Sequence, residues 1–151
     1  MLPRAYENQR CSIARTLEIV GDRWTLLVLR DVFLGVRRFD DVQRDLGIAR
    51  NVLSDRLARL VEDGILERRR YQERPERFEY RLTEKGLDLW PSLMALMRWG
   101  DKHLAQDGPP RIVEHRDCGG GLTDGLTCDR CGESLGATVV TSRPGPGALA
   151  P

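Results

Sequence analysis

Lysine is almost absent from this sequence: of 24 basic residues 22 are arginine, and only Lys85 and Lys102 are lysine. Arginine makes the better bidentate contact with phosphate or guanine, although genome composition produces the same bias. No apolar run approaches the ~20 residues of a membrane span. The opening residues, M-L-P-R-A-Y-E-N-Q-R-C, are polar and charged. They lack the apolar core of a secretory signal, so a cytoplasmic protein with reduced thiols is expected. A net charge of +1 excludes a general polycation. The four cysteines form no disulfide framework, since three cluster near the C-terminus and Cys11 stands alone. No glycine-rich nucleotide loop, paired catalytic carboxylates or Ser-His-Asp set is visible, so no enzyme is expected. At 151 residues, 40% of them hydrophobic, the chain can build one modest core and a small appendage.

What is present centres on Leu46 to Gly64, L-G-I-A-R-N-V-L-S-D-R-L-A-R-L-V-E-D-G. Gly47 marks a turn. Leu53, Leu57, Leu60 and Val61 then fall at i, i+4, i+7 and i+8, the apolar stripe of a helix that Gly64 closes. The opposite face carries Asn51, Ser54, Asp55, Ala58 and Arg59. Short polar groups and an arginine suit a major groove, where base edges offer donors and acceptors. The same face also suits an ordinary solvated helix. Arg56 projects toward the buried side and reads as a structural ion-pair residue.

The flanking segments favour the first alternative. Residues 12–20 form a helix with Ile13, Leu17 and Val20 as its stripe and Ser12 as its N-cap. Asp22 caps a strongly apolar helix, Arg23 to Leu34, in which Trp24 is a core residue. A short helix, Arg37 to Leu46, turns Phe39, Val42 and Leu46 inward. Two short helices joined by a tight turn form a helix-turn-helix. Ile65 to Tyr71 and Arg77 to Leu82 alternate as paired strands around a polar link, residues 72–76. The order is that of a winged helix. Between Arg37 and Arg81 there are twelve Arg against ten Asp and Glu, so DNA affinity depends on where the arginines point. The best placed to meet DNA are Arg50, Asn51, Ser54 and Asp55, with Arg59 beside them, Arg37 and Arg38 at a helix start, and Arg74 on the wing.

A long helix begins at an N-capping Thr83, with Leu87, Trp90, Met94 and Met97 in a stripe that Leu93 and Leu96 widen. A stripe this broad suits packing against a second copy. Gly108-Pro109-Pro110 breaks the chain. Beyond it stand His115-x2-Cys118 and Cys128-x2-Cys131-Gly132. Three Cys and one His at these spacings suit a closed tetrahedral structural zinc site. A Cys128–Cys131 redox pair and free thiols are the other readings. The redox enzyme would need a βαβ context, and none precedes the motif.

The run Cys11-Ser12-Ile13-Ala14, Gly21-Asp22-Arg23-Trp24, Arg37-Arg38-Phe39, Leu53-Ser54-Asp55-Arg56-Leu57 and Leu82-Thr83-Glu84-Lys85-Gly86 resembles, in order and spacing from about Cys11 to Leu104, the HxlR family of bacterial transcriptional regulators. The resemblance implies a winged helix-turn-helix that dimerises through its terminal helices and binds palindromic double-stranded DNA as a repressor or an activator, with repression the favoured sign. Some members sense oxidants or electrophiles through a cysteine near the N-terminus, which Cys11 matches. A small buried apolar residue is the other reading of Cys11. Members often have Ser or Thr where this chain has Ala49 after the Gly-Ile turn, so the helix start differs here.

The expectation is therefore a mostly α fold with a small β-hairpin wing (α+β): a winged helix-turn-helix with a long C-terminal dimerisation helix and a short Cys-rich extension. Residues 1–107 would form the DNA-binding and dimerisation domain, 108–136 the zinc-ribbon extension, and 137–151 a disordered tail. The function expected is a homodimeric DNA-binding regulator responding to an oxidant, an electrophile or a small-molecule effector. The alternative is a winged-helix interaction module without DNA.

Overall fold

The computed structural model describes Tyr6 and residues 8–148. Backbone contacts divide the chain into two units, Met1–Leu87 and Asp88–Pro151. The division precedes the 107/108 boundary expected from sequence. The Pro-Pro break marks a turn within the second unit, not its beginning.

In the first unit Asp22 starts a helix as expected. Its Oδ1 accepts from the N–H groups of Trp24 (2.9 Å) and Thr25 (3.1 Å), and its carboxylate also accepts from the Thr25 hydroxyl. These bonds satisfy donors that a helix start leaves open. Burial raises the Asp22 carboxyl, but Thr25, Trp24 and Arg56 together outweigh it and hold it below its ordinary value. The helix is α2 (Thr25–Phe33); α1 (Ser12–Val20) precedes it. Cys11, not Ser12, caps α1: the Cys11 backbone is extended and its Sγ accepts from Ala14 N–H at 3.3 Å. Trp24 is half-buried ahead of α2, with the Arg23 guanidinium 5.3 Å from its ring centroid.

The pair α3 (Phe39–Leu46) and α4 (Arg50–Glu62) is the helix-turn-helix, with Gly47 at φ +63 in its turn. Val28, Leu29, Val32, Val42, Ile48, Leu53, Leu57, Leu60, Ile65 and Leu66 form the core. Among them Val42, Leu53, Leu57 and Leu60 are residues that the 3.6-residue period placed on inward faces, whereas Ile13 and Leu17, expected in the inward stripe of α1, are exposed.

The wing is an antiparallel hairpin of β1 (Leu66–Glu73) and β2 (Glu76–Leu82). Both strands run longer than expected, leaving only Arg74-Pro75 between them. A bulge between Arg70 and Gln72 sets Tyr71 outside the pairing register. Arg38 bridges Glu79, and Tyr80 N–H donates to Arg37 O at 2.8 Å, so a third strand stub joins the wing to the start of α3.

Thr83 caps as expected, its hydroxyl accepting from Gly86 N–H at 3.1 Å. The helix it opens is only α5 (Glu84–Leu87), and α6 (Trp90–His103) begins separately after a turn. Pro91 explains the break. Proline has no N–H to bond back to Leu87 O, so the i→i−4 ladder stops there, and its fixed φ suits a helix start.

In the second unit β3 (Arg111–His115) pairs antiparallel with β4 (Val140–Pro144), from Arg111↔Pro144 to His115↔Val140. This corrects the disordered tail over residues 137–148; residues 149–151 of that expectation lie outside the described residues. Composition read the prolines and glycines as disorder, but they fit a close return of the chain. Gly145 N–H donates to Pro110 O at 2.9 Å, and a Cβ at Gly145 would lie 2.1 Å from Pro109 O. Val140 and Thr141 supply β-branched strand residues.

Candidate nucleic-acid interface and metal centre

Leu53, Leu57 and Leu60 anchor α4 in the core, which fixes its opposite face outward. Arg50, Asn51, Ser54 and Asp55 are exposed and Arg59 is half-exposed. Ala49 precedes the helix with extended backbone and offers no side-chain cap, so the first-turn N–H groups of α4 remain open to an acceptor. Three of the polar residues, Arg50, Asp55 and Arg59, are engaged with neighbours. Arg50 Nη1 donates to Asp40 at 3.0 Å and Gln43 at 3.3 Å, and its guanidinium lies 4.6 Å from the Phe39 ring centroid. Asp55 bonds Arg56 at 2.6 Å and Arg59 at 3.3 Å. Arg56 also reaches Asp22 at 2.9 Å, so it ties α4 to the start of α2, the structural role its inward projection predicted.

The wing arginines sort into two groups. Arg69 pairs with Glu67 at 2.6 Å, Arg81 with Glu79 at 2.7 Å and Arg70 with Glu76 at 3.3 Å. Among the described residues Arg37, Arg38, Arg68, Arg74 and Arg77 make no salt bridge. Arg38 lies over Tyr71 (4.4 Å) and Arg68 over Phe78 (3.6 Å); both stay exposed. Net composition hid this division: Arg69–Glu67 and Arg81–Glu79 are neighbours two residues apart on one face of one strand, while Arg70 reaches Glu76 on the opposite strand. Sequence reasoning offered all six wing arginines as phosphate contacts, with Glu67, Glu73, Glu76 and Glu79 as their possible partners, and chose Arg74 among them; Arg68 and Arg77 stand as free as Arg74 among the described residues.

Cys11 is exposed, not buried. It lines an open groove with Arg10, Ser12, Arg15 and Thr16. The small-buried-residue reading fails because Cys11 sits ahead of the helix and outside its packed face. On that helix Ile13 and Leu17 are also exposed; α6 likewise exposes Leu96 and Trp99.

The second unit brings His115, Cys118, Cys128 and Cys131 together, one donor atom from each within 4.8 Å of the others. His115 Nδ1 lies 3.3 Å from both Cys118 Sγ and Cys131 Sγ, and Cys118 Sγ lies 3.3 Å from Cys128 Sγ. Two turns of the same design hold them. Gly119 N–H donates to His115 O at 2.8 Å, and Gly132 N–H donates to Cys128 O at 3.0 Å. Gly119 (φ +74) and Gly132 (φ +79) follow the second donor of each turn, in the left-handed conformation that glycine adopts without a Cβ clash. Arg130 Nη1 joins the turns by donating to Cys118 O at 2.5 Å. A Cβ at Gly120 would stand 2.3 Å from Cys128 Sγ, so only glycine fits against that sulfur.

The electrostatics suit a cation. The N–H groups of Cys131 and Arg130 hold the Cys128 thiol down at about 6, against its burial. Glu133 N–H lowers Cys131, but burial and the adjoining thiols outweigh it and leave that thiol raised. The set can hold a metal through four soft donors. Glu133, passed over in the sequence, stands behind the site with its carboxylate 3.5 Å from His115 Nε2. A carboxylate on the outer nitrogen fixes which nitrogen faces inward. Its signal in the sequence was only an acid two residues past Cys131.

A family model described as HxlR-like helix-turn-helix matches residues 19–108. The HTH-type transcriptional regulator Rv3095 of Mycobacterium tuberculosis is 51% identical over 137 residues, covering 90% of this chain and 87% of that protein. The crystal structure of PA1607, named as a candidate transcription factor, superposes with a TM-score of 0.70 at 36% identity, covering 86% of this chain and 92% of that one. The redox regulator HypR in its reduced form superposes with a TM-score of 0.57 at 29% identity, over 61% of this chain and 92% of its own. The similarity to Rv3095 and PA1607 thus runs on past residue 108, whereas HypR is nearly used up on a smaller share.

Proposed function

The chain belongs to the HxlR-like helix-turn-helix family of transcriptional regulators, and from that premise we propose that it works as a homodimeric repressor on palindromic double-stranded DNA in the cytoplasm. The observation that carries this reading is α4, with Leu53, Leu57 and Leu60 buried and Arg50, Asn51, Ser54 and Asp55 exposed on the other face. Arg50 and Asn51 read bases. To do so Arg50 exchanges Asp40 and Gln43 for a base edge, and Asp40 and Gln43 position it until then. Arg37, Arg38 and Arg74 hold phosphates, which orient the protein without reading sequence. A second copy covers the exposed apolar faces of α1 and α6. The Cys11 thiol, exposed between Arg10 and Arg15, supplies an oxidant or electrophile sensor, in keeping with the redox regulator among the structural relatives. His115, Cys118, Cys128 and Cys131 hold a structural zinc. No open position is left for catalysis there, and the reading assigns the chain no enzymatic step.

Fluorescence anisotropy of the purified protein on its own upstream DNA, against scrambled DNA, tests this. Salt-sensitive binding is expected, because phosphate contacts release counterions. Arg50→Ala should lose about 1–3 kcal/mol and change sequence preference, while Arg74→Ala should weaken all DNA alike and lower the salt slope by about one. Uniform loss across sequences in both variants would sink the base-reading assignment. Absence of binding to any DNA at any salt would favour an interaction module. A mild thiol oxidant that abolishes binding supports Cys11 as sensor; indifference directs the search to a small-molecule effector.

A further inference from the structure

The C-terminal half of α6 is weakly held by apolar packing. Trp90 at its start is its one buried residue; Leu93, Met94 and Met97 are half-buried, and Leu96 and Trp99 are 56% and 60% exposed. What ties this half to the ribbon is Arg98. Its Nη1 donates to Leu122 O at 2.6 Å and its Nε to Asp124 Oδ1 at 2.7 Å. Both acceptors lie on a short hairpin stub that ends at a zinc donor. Leu122 bridges Cys128, Thr123 N–H donates to Thr127 O at 2.9 Å, and Asp129 N–H donates to Gly121 O at 2.9 Å.

That stub is held by polar bonds more than by apolar packing: Thr127 N–H donates to Thr123 Oγ1 at 3.2 Å, Leu135 N–H donates to Leu126 O at 2.7 Å, and Thr127 bridges Ser134. Val113 and Leu135 are the buried aliphatic residues of the ribbon, and the stub runs from one metal-binding turn to the other. Its near end is fixed where Gly120 presses on Cys128 Sγ, its far end by Cys128 itself. Holding Cys118 against Cys128 therefore sets where Leu122 O and Asp124 stand. We propose that the metal in the His115–Cys118–Cys128–Cys131 site is a brace for α6: occupancy orders the residue 122–128 stub, and through Arg98 the stub fixes the helix half that carries Leu96 and Trp99. The proposal rests on the zinc reading above and adds a consequence to it. Loss of metal loosens the apolar face offered to a second copy, so metal supply governs dimerisation without any change in the DNA-reading helix. Arg98 is a positioning residue here, since it touches neither metal nor DNA.

The test is hydrogen exchange on the full chain, zinc-loaded and then chelated under reductant, with metal content measured on the same samples. One zinc per chain is expected. On chelation the amides of residues 94–104 should exchange about tenfold faster, as a local opening frees them, while those of α4 keep their rates. Arg98→Ala, which retains all four donors, should bind zinc normally and still show the faster exchange at 94–104, with a weaker dimer by sedimentation equilibrium. Asp124→Asn should show the same change in smaller degree. Bound zinc with unchanged exchange in the chelated protein and in Arg98→Ala would overturn the brace and leave the zinc reading intact. Absence of bound zinc would overturn both. Should chelation also speed α4, Arg98→Ala decides, because it leaves the site filled.

Discussion

In the first unit α4 buries Leu53, Leu57 and Leu60 to 1% exposure or less. In the second, the ribbon from β3 to β4 has Val113 and Leu135 as its buried aliphatic side chains. Each fully buried leucine contributes about 1.5–3 kcal/mol, and ordering one residue's backbone costs about 1–2 kcal/mol. The helix-turn-helix can meet that cost from its core. The ribbon cannot, and it substitutes two glycine-closed turns with four soft donors facing each other. One part of the chain is shaped by apolar burial; on the proposed zinc reading the other is shaped by a cross-linking site, so the two should fail under different treatments.

The largest expected effect follows from emptying or breaking that site. Structural zinc supplies about 10–16 kcal/mol in small domains. Cys128→Ser or chelation should therefore open the ribbon to trypsin at Arg116 and Arg130 while α2 and α4 remain resistant. A ribbon that stays resistant without metal would show that its turns and strand pairing suffice, and the contrast would collapse.

The converse change is Leu57→Ala. A buried leucine truncation costs about 2–5 kcal/mol through lost burial and the cavity left behind. Denaturant unfolding followed in the first unit should shift by that amount, with metal stoichiometry unaltered. A loss under about 1 kcal/mol would mean that α4 is held chiefly by polar contacts such as Arg56–Asp22.

A smaller effect sharpens the comparison inside the first unit. Asp31 is 1% exposed, takes two bonds from Arg30 on Oδ1, and leaves Oδ2 without a partner. Burial pushes its carboxyl from 3.8 up to about 6, against Arg30 and with help from Asp45. The folded state then holds this proton where the unfolded chain has released it. The stability that Asp31 contributes is full below pH 4 and is lost as pH rises through about 6. Between those limits the loss is on the order of 3 kcal/mol. Asp31→Asn should remove this slope from the unfolding free energy. An unchanged slope would assign the pH dependence to other groups.

Much of the fold was legible because its elements carry period and caps. The stripe of α4, the Asp22 cap, the Thr83 cap and the alternation of Phe78, Tyr80 and Leu82 are local patterns with local causes. The candidate metal residues were legible for a similar reason, since paired x2 spacings bring two donors onto one turn. Errors arose where a competing local rule won. Pro91 split a helix that the apolar stripe ran through, and the extended backbone at Cys11 gave the cap to a thiol in place of Ser12. The tail failed for a different reason: composition describes a segment alone, and β4 exists because β3 offers it an edge.

The sequence by itself determined the inward face of α4, since burial there follows the period a helix imposes on its side chains; on α1 the same period pointed Ile13 and Leu17 inward, and they stand exposed. It also determined the donor types, because cysteine and histidine bring their chemistry wherever they sit. Only the tertiary structure decided which charges meet across elements. Arg56 on α4 reaches Asp22 ahead of α2, Arg98 on α6 reaches Leu122 O and Asp124, and His115 on β3 faces the Glu133 carboxylate at 3.5 Å, pairs that no spacing along the sequence gives. Distances between residues far apart in sequence follow from packing, which the folded chain settles as a whole.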